Sequence, residues 1–170
     1  MKGILVMVLG LPGVGKSYFA RQFALAIQGV HINSDLIRKK TFEQPIYSSE
    51  EKSRVYAAMF ESVSQLLGEG KRVVVDATFS KQDRRLPYYH YTEKEKIDCK
   101  LIRIVADEDM VKERLKVTRP DSDADFEIYR KIKKEYEVLD RPCLVLDSTK
   151  LSVGEMIEKA KEYVGITAPK

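Results

Sequence analysis

The chain has no tryptophan, only two cysteines, and no apolar stretch near the ~20 residues that a helix needs to span a bilayer. Lacking such a stretch, the protein is predicted not to enter a membrane. Cys99 and Cys143 stand at no metal-ligand spacing from each other, or from His31 and His90, so the sequence predicts no metal site built from these residues. We expect both cysteines to be buried thiols in a reducing cytoplasm.

The sequence also lacks a run of charge of one sign. Its 30 Lys and Arg and 26 Asp and Glu residues are interspersed and give a net charge of +4. This balance is compatible with a polyanionic partner but does not by itself indicate one. No repeat, linker or low-complexity segment divides the 170 residues. A chain of that length is predicted to form one domain, residues 1–170, which buries about 70% of its unfolded surface.

Short apolar runs recur along the chain, and most are continuously apolar rather than alternating. Strands that helices cover on both faces have this pattern, so the runs predict a parallel sheet. Helical patterns separate the runs, which indicates a doubly wound α/β fold with a five-stranded parallel sheet flanked by helices. The five runs are Ile4–Leu9, Val30–Asn33, Val73–Asp76, Leu101–Val105 and Leu144–Asp147.

Three features predict where helices begin, continue and end. Ser48–Glu51 and Ser152–Glu155 both have the Ser-x-x-Glu pattern of a capping box, which starts a helix. Apolar residues at helical spacing from Ile128 through Tyr136 to Leu139 predict another helix. Pro87 falls inside a helical stretch, so we expect a break there, with Pro87 opening a new helical turn.

The segment Gly10–Ser17, Gly-Leu-Pro-Gly-Val-Gly-Lys-Ser, has the phosphate-binding P-loop pattern G-x-x-x-x-G-K-[ST] between an apolar strand and a helical stretch. Glycines let backbone N–H groups surround a triphosphate, and the following helix adds its positive end. Lys16 is predicted to reach the outer phosphates, and the Ser17 hydroxyl to bind Mg²⁺. The residues expected to bind ATP here are Gly13, Val14, Gly15, Lys16, Ser17 and Tyr18.

Acidic residues stand at the ends of three predicted strands, where ligands bind in parallel sheets. We expect Asp76 to orient Mg²⁺ and Asp147 to be a turn residue at the far edge. Asp35 is placed to accept the proton of an attacking hydroxyl, and Arg38, one helical turn later, to hold an acceptor's phosphate or carboxylate. The alternative is that Ser34 or Asp35 only caps the helix.

Two further arginines, Arg114 and Arg119, follow in a segment that we expect to form a small lid, about residues 112–125. An arginine that faces the P-loop would neutralise charge on the transferred phosphoryl group, although either residue could instead be a solvated surface side chain. The acidic run Asp121–Asp125 lacks the glycine and glutamate of a calcium loop, so we expect it to cap the next helix.

An aromatic cluster, Tyr88–Tyr91, lies just after Arg84 and Arg85. Aromatic and basic residues together can stack on and clamp single-stranded nucleic acid. More often such a cluster is an amphipathic helix that buries two of its rings.

Four blocks of the sequence resemble the P-loop kinases related to phage-type polynucleotide 5′-kinase, a group that also includes zeta-toxin-like and small-molecule kinases. The resemblance implies that Asp35 is the general base, that Arg38, Thr78 and Arg85 contact the acceptor, and that Arg119, supported by Arg114, closes over the phosphates. The four blocks are Gly10–Ser17, Ser34–Arg38, Val73–Phe79 with Arg84 and Arg85, and Arg114–Arg119 with Ser122–Asp125.

The implied reaction is transfer of the γ-phosphate of ATP, with Mg²⁺, to a hydroxyl group. The resemblance favours the 5′-hydroxyl end of RNA or DNA, which would make single-stranded nucleic acid a partner. Alternatives are a sugar, nucleotide or other metabolite as acceptor, or a nucleotide-dependent ATPase switch. The Asn/Thr-Lys-x-Asp motif of guanine-specific switches does not occur in the chain.

Overall fold

The computed structural model describes residues 3–117 and 125–166. Within them, five parallel strands form one sheet in the order β2-β3-β1-β4-β5. The predicted five-stranded parallel sheet is therefore confirmed, with the strand that carries Asp76 beside the P-loop strand and the last strand at an edge. The strands are β1 (Ile4–Leu9), β2 (Val30–Asn33), β3 (Val73–Ala77), β4 (Asp98–Val105) and β5 (Cys143–Asp147).

Helices cover both faces of the sheet, so alternate residues of each central strand enter two separate cores. In β1, for example, Val6 and Val8 belong to the core on one face, while Leu5 and Met7 belong to the core on the other. This burial on both faces explains the continuously apolar strands. The helices are α1 (Lys16–Ala26), α2 (Ser34–Thr41), α3 (Ser49–Gly68), α4 (Gln82–Glu95), α5 (Glu108–Leu115), α6 (Phe126–Glu135) and α7 (Val153–Val164).

The two predicted capping boxes have different outcomes. At α7 the box is complete, because Ser152 accepts from Glu155 N and the Glu155 carboxylate accepts from Ser152 N. At α3, Ser48 Oγ accepts from Glu51 N at 3.1 Å, but the Glu51 carboxylate does not return to Ser48. It instead accepts from Arg38 and from the backbone N–H groups before the helix. The capping box at α3 is therefore only half formed, because the buried Arg38 guanidinium competes for the Glu51 carboxylate.

The helix break predicted at Pro87 is wrong, since α4 continues through it from Gln82 to Glu95. Pro87 is the sixth residue of the helix, so its missing N–H removes a hydrogen bond only to the carbonyl of Asp83 in the first turn. Pro87 and Asp83 are both exposed, which lets water reach that carbonyl. Burial of Tyr88 and Tyr89 then holds the rest of the helix against the sheet.

The helix predicted to extend through Tyr136 and Leu139 is also shorter than expected. Helix α6 ends at Glu135, and Tyr136 has extended backbone angles. Its hydroxyl donates to the carbonyl of Thr78 at 2.7 Å, so contact with the loop after β3 prevails over the helical periodicity. Asp125 caps α6 by accepting from Ile128 N, as predicted for the last residue of the acidic run.

Both cysteines are free thiols, Cys99 on β4 and Cys143 on β5, and each is only partly buried. Burial nevertheless raises the pKa of Cys99 to about 11. No helix within residues 3–117 and 125–166 has the length and apolar character needed to cross a membrane.

Candidate active site

The P-loop joins β1 to α1 and depends on glycine at defined positions. Gly10, Gly13 and Gly15 all have positive φ angles, of 155°, 79° and 91°. A Cβ atom at Gly10 would lie 2.6 Å from the carbonyl oxygen of Ile104, and one at Gly13 would lie 2.9 Å from Leu115 Cγ. The turn therefore excludes side chains at these two positions, both by backbone conformation and by contact.

Helix α1 begins without a side-chain cap, because its N-cap residue is Gly15. Helices α4 and α5 also have no side-chain cap, whereas α2, α3, α6 and α7 each have a side chain that accepts from the first turn. The first amides of α1 are thus left for another acceptor, and the positive end of the helix dipole lies at the same place. A phosphate oxygen is the natural partner for such a helix end.

A cavity of about 730 Å³ surrounds this helix end. It brings together seven predicted site residues: Gly13, Gly15, Lys16, Ser17, Tyr18, Asp35 and Arg114. Val14 is buried beneath the loop, and its carbonyl oxygen accepts a hydrogen bond from Ser148 Oγ at 2.7 Å. The side chains of His31, Asn33, Leu151, Val153 and Met156 complete much of the wall.

Asp76 lies directly beneath Ser17 and is fully buried. Ser17 Oγ donates to Asp76 Oδ1 at 2.7 Å, and Asn33 Nδ2 lies within 3.0 Å of both carboxylate oxygens. The hydroxyl and carboxylate oxygens are the hard donors that Mg²⁺ prefers, and Ser17 lines the cavity, so the residues fit a magnesium ion. Asp147 instead closes a turn, accepting from Thr149 N at 2.9 Å.

Arg114 extends from α5 to the P-loop. Its Nη1 donates to Ser148 Oγ at 3.0 Å and to Gly13 O at 3.4 Å, and its Nη2 donates to Ser148 O at 3.4 Å. Since Ser148 also contacts Val14, one serine connects the arginine to the loop. The structure thus places Arg114 at the cavity. Arg119 and most of the second half of the predicted lid lie outside the described residues.

Asp35 stands in the first turn of α2 and lines the cavity. The alternative that Ser34 or Asp35 only caps this helix is not supported, because Asn33 is the cap and its Oδ1 accepts from Leu36 N at 2.9 Å. The same Asn33 side chain donates to Asp76 through its amide nitrogen. Asn33 therefore fixes the start of α2, and with it the position of Asp35, relative to Asp76.

Arg38 does not line this cavity. Its side chain is buried, its Nη1 donates to Glu51 Oε1 at 2.6 Å, and its guanidinium lies 4.5 Å from the centre of the Tyr47 ring. Burial raises the pKa of Glu51, but the hydrogen bond from Arg38 and those from Ile46 N and Tyr47 N outweigh it and hold that pKa below its ordinary value. The predicted acceptor ligand is thus bound to an ionised carboxylate of the same chain.

Thr78 and Arg85, the other two predicted acceptor residues, also lie outside the cavity wall. Arg85 is fully buried and donates to the carbonyl oxygens of Glu137 and Val138, so it holds the segment after α6 against α4. Thr78 is fixed through its carbonyl by Tyr136. The structure does not bring Arg85 to the surface, where an acceptor could reach it.

The aromatic cluster of α4 is used for packing. Tyr88 and Tyr89 are 1% and 0% exposed, and Phe79 and Phe60 contact Tyr88 edge-to-face. The interpretation of the cluster as an amphipathic helix that buries two rings is confirmed. These two rings have no free face on which a nucleic-acid base could stack.

Sequence reasoning missed three residues of this site. Asn33 and Ser148 stand immediately at or after strand ends, a position that could have indicated them. His31 gave no such signal, because its contact with Asp76 Oδ2 joins residues 45 positions apart in the chain.

The chain resembles solved structures in its fold and matches one family model. No curated protein matches it in sequence. Among solved structures, the Mycobacterium tuberculosis APS kinase CysC in complex with AMPPNP and APS is 17% identical, with a TM-score of 0.74 over 96% of this chain and 98% of that chain. A gluconokinase from Sinorhizobium meliloti 1021 is 19% identical, with a TM-score of 0.68 over 96% and 92% of the two chains.

Chaetomium thermophilum Kti12 in complex with ADP-AlF3 is 18% identical, with a TM-score of 0.71 over 96% of this chain and 100% of that chain. These likenesses establish the fold of P-loop kinases, and none of the three proteins is named a polynucleotide kinase. The family AAA_33, described as an AAA domain, matches residues 5–139, well over half of the sequence. The chain is therefore a member of the AAA domain family AAA_33, with a five-stranded P-loop kinase fold.

Proposed function

We propose that this protein is a kinase that uses ATP and Mg²⁺ to phosphorylate a hydroxyl group. The observation that carries the proposal is the arrangement around one cavity. Lys16, Ser17 and Asp35 line it, and Asp76 lies beneath Ser17. A phosphate cradle, a cation-binding hydroxyl and a carboxylate able to accept a proton are the groups that phosphoryl transfer to an alcohol requires.

Each group has a distinct task in this proposal. The uncapped amides of α1 and the Lys16 ammonium bind the phosphates, and Arg114 neutralises charge on them from α5. Ser17 and Asp76 hold Mg²⁺, which supplies charge neutralisation at the phosphate oxygens when bound. Asp35 orients the acceptor hydroxyl and takes its proton. Positioning and electrostatics account for most of the catalysis in such a site.

For the acceptor we favour a small molecule over a nucleic-acid end. A 5′ end would be held by a cation on its phosphate and by rings stacked on its bases. The candidate groups for these tasks are already engaged within the protein: Arg38 by Glu51, and Arg85 by two backbone carbonyls, while Tyr88 and Tyr89 are buried. The presence of an APS kinase and a gluconokinase among the structural neighbours supports the same choice.

The proposal is tested with γ-labelled ATP and a panel of hydroxyl compounds that includes sugars, nucleosides, and RNA and DNA oligonucleotides with 5′-hydroxyl ends. We expect label on a small molecule and none on the oligonucleotides. Label on the oligonucleotides alone would restore the polynucleotide acceptor. Release of free phosphate with every compound, and no labelled product, would instead favour an ATPase switch.

Asp35→Asn tests the catalytic part of the proposal. We expect phosphoryl transfer to fall by about 10²–10⁴-fold, the usual contribution of a general base, while ATP binding is retained. Asp83→Asn is the matched control, because Asp83 is also an acidic residue in the first turn of a helix but lies on the exposed surface of α4. Full transfer by Asp35→Asn with every reactive acceptor would remove Asp35 from the mechanism.

A further inference from the structure

We propose that His31 is a positioning residue for Asp76, and that it sets the affinity of the nucleotide site for its divalent cation. The inference rests on the nucleotide and Mg²⁺ binding of the proposed function, but not on phosphoryl transfer. No group of three or more His, Cys, Asp or Glu residues that could hold a metal ion occurs within residues 3–117 and 125–166. His31 is therefore considered through its effect on Asp76.

Strand register determines the direction from which His31 reaches the acid. In the parallel β2–β3 pair, Asn33 lies opposite Asp76, and His31 lies opposite Val74. Side chains two residues apart on a strand share a face, so all of these side chains point toward α1. His31 is two residues further from the carboxyl end of the sheet than Asp76, and phosphates bind beyond that end. It thus contacts Asp76 Oδ2 from β2, while the His31 side chain also lines the cavity.

The contacts of Asp76 show what His31 contributes. Oδ1 accepts from Ser17 Oγ and Asn33 Nδ2, whereas Oδ2 accepts from Asn33 Nδ2 and is in hydrogen-bond contact with His31 Nε2. A carboxylate that helps to bind a cation can only accept, so in that state Nε2 would carry the hydrogen of this contact. Without His31, the one donor described at Oδ2 would be Asn33 Nδ2, which also contacts Oδ1. A fully buried carboxylate oxygen in that condition is costly, and the side chain would rotate or recruit water.

Rotation of Asp76 would be transmitted directly to the cation site. Ser17 Oγ lies 2.7 Å from Oδ1 and lines the cavity, so the orientation of the carboxylate determines where that hydroxyl points. The positions of the water ligands of a bound Mg²⁺ would also depend on Asp76 Oδ1. Residues that orient metal ligands in this way typically change metal affinity by about 10–100-fold when they are lost.

The test uses two amides of different length. In His31→Gln, the side-chain nitrogen can take the place of Nε2, whereas in His31→Asn it reaches only the place of Nδ1. Both variants retain a polar, hydrogen-bonding side chain on β2. His90→Gln is the control, because His90 is exposed on α4, a helix that packs on the opposite face of the sheet from α1. The readout is binding of a fluorescent ATP analogue at a series of Mg²⁺ concentrations and constant pH.

We expect His31→Asn to raise the Mg²⁺ concentration for half-maximal binding by about 10-fold or more, and His31→Gln to restore it to within about 3-fold of the original protein. Binding of the analogue without Mg²⁺ should be unchanged. If His31→Asn only lowers the melting temperature and leaves the Mg²⁺ dependence unaltered, His31 is structural and the inference fails. Equal shifts in the two amide variants would refute it as well.

Failure of the proposed function would be recognised separately. A protein that binds the analogue with the expected Mg²⁺ dependence but phosphorylates no acceptor would contradict the kinase proposal and leave the role of His31 standing. If the protein phosphorylates an acceptor but its Mg²⁺ affinity is unaffected by His31→Asn, the kinase proposal stands and the role of His31 is refuted.

Discussion

Replacement of Gly13 by alanine tests whether the shape of the P-loop depends on its contact with α5. A Cβ atom at Gly13 would lie 2.9 Å from Leu115 Cγ and 3.0 Å from Val111 Cγ1. One at Gly15 would meet Arg114 Nη1 at 3.5 Å and Ser148 Oγ at 3.7 Å, which are ordinary contact distances. Both glycines have left-handed backbone angles, so the two substitutions share the conformational penalty and differ in the steric one.

The shared penalty is about 1–2 kcal/mol, the usual cost of a Cβ atom in the left-handed region. Overpacking against Val111 and Leu115 adds about 1–3 kcal/mol for Gly13→Ala alone. We therefore expect Gly13→Ala to lower the free energy of unfolding by about 2–5 kcal/mol, and Gly15→Ala by about 1–2 kcal/mol. The gain from a stiffer unfolded chain is similar for both, so it cancels from the difference.

Urea denaturation followed by circular dichroism measures both free energies, with an unchanged slope as the check that the unfolded state is comparable. Gly154→Ala is the control, because its Cβ atom would meet nothing nearer than Ser152 Oγ at 4.0 Å in helix α7. It should stabilise the protein by about 0.5–1 kcal/mol. The steric reasoning would be refuted if Gly15→Ala cost as much as Gly13→Ala, or more.

Three further predictions each concern a single residue. Ser148→Ala removes the hydroxyl that holds Arg114 to the P-loop and should weaken ATP binding by about 3–30-fold in calorimetry, whereas Thr149→Ala, in the same loop, should not. Lys96→Gly should raise the free energy of unfolding by about 1 kcal/mol, because this exposed residue ends α4 with a φ of 54°. Burial raises the pKa of Cys99 to about 11, so its thiol stays protonated at neutral pH and becomes reactive as pH rises. The rate of its alkylation, followed by mass spectrometry of the Cys99 peptide, should still be rising at pH 10, where an ordinary thiol has levelled off.

At the Arg38–Glu51 ion pair, the sequence motif predicts that Arg38 contacts a ligand, but the tertiary structure gives Arg38 a different partner. Asp35 and Arg38 lie one helical turn apart in α2, and the sequence predicts that both face the same ligand. Asp35 does line the cavity, but Arg38 is drawn inward by Glu51. The pairing depends on how α3 packs against α2, and Ser48–Glu51 was interpreted as a local helix cap. The Glu51 carboxylate could complete the helix cap or pair with the buried Arg38, and it pairs with Arg38. A buried guanidinium without a partner would cost more free energy than an incomplete helix cap.

Local patterns were sufficient for the strands, the P-loop and the start of the last helix. Each of these depends on residues close together in the chain: a run of apolar side chains, glycines at fixed spacing, or a serine three positions before a glutamate. Backbone conformation and burial act on such patterns directly, so the five strands and the phosphate cradle could be predicted from the sequence.

Contacts between distant residues decided the rest. Continuation of α4 through Pro87 depends on the burial of Tyr88 and Tyr89, and the early end of α6 on the hydrogen bond from Tyr136 to Thr78. His31 reaches Asp76 only because β2 pairs with β3 in one particular register. The sequence by itself determined which chemical groups the protein carries to the edge of its sheet. Which of them meet a ligand, and which meet each other, was decided by packing, since a buried charge takes the partner that the tertiary fold places beside it.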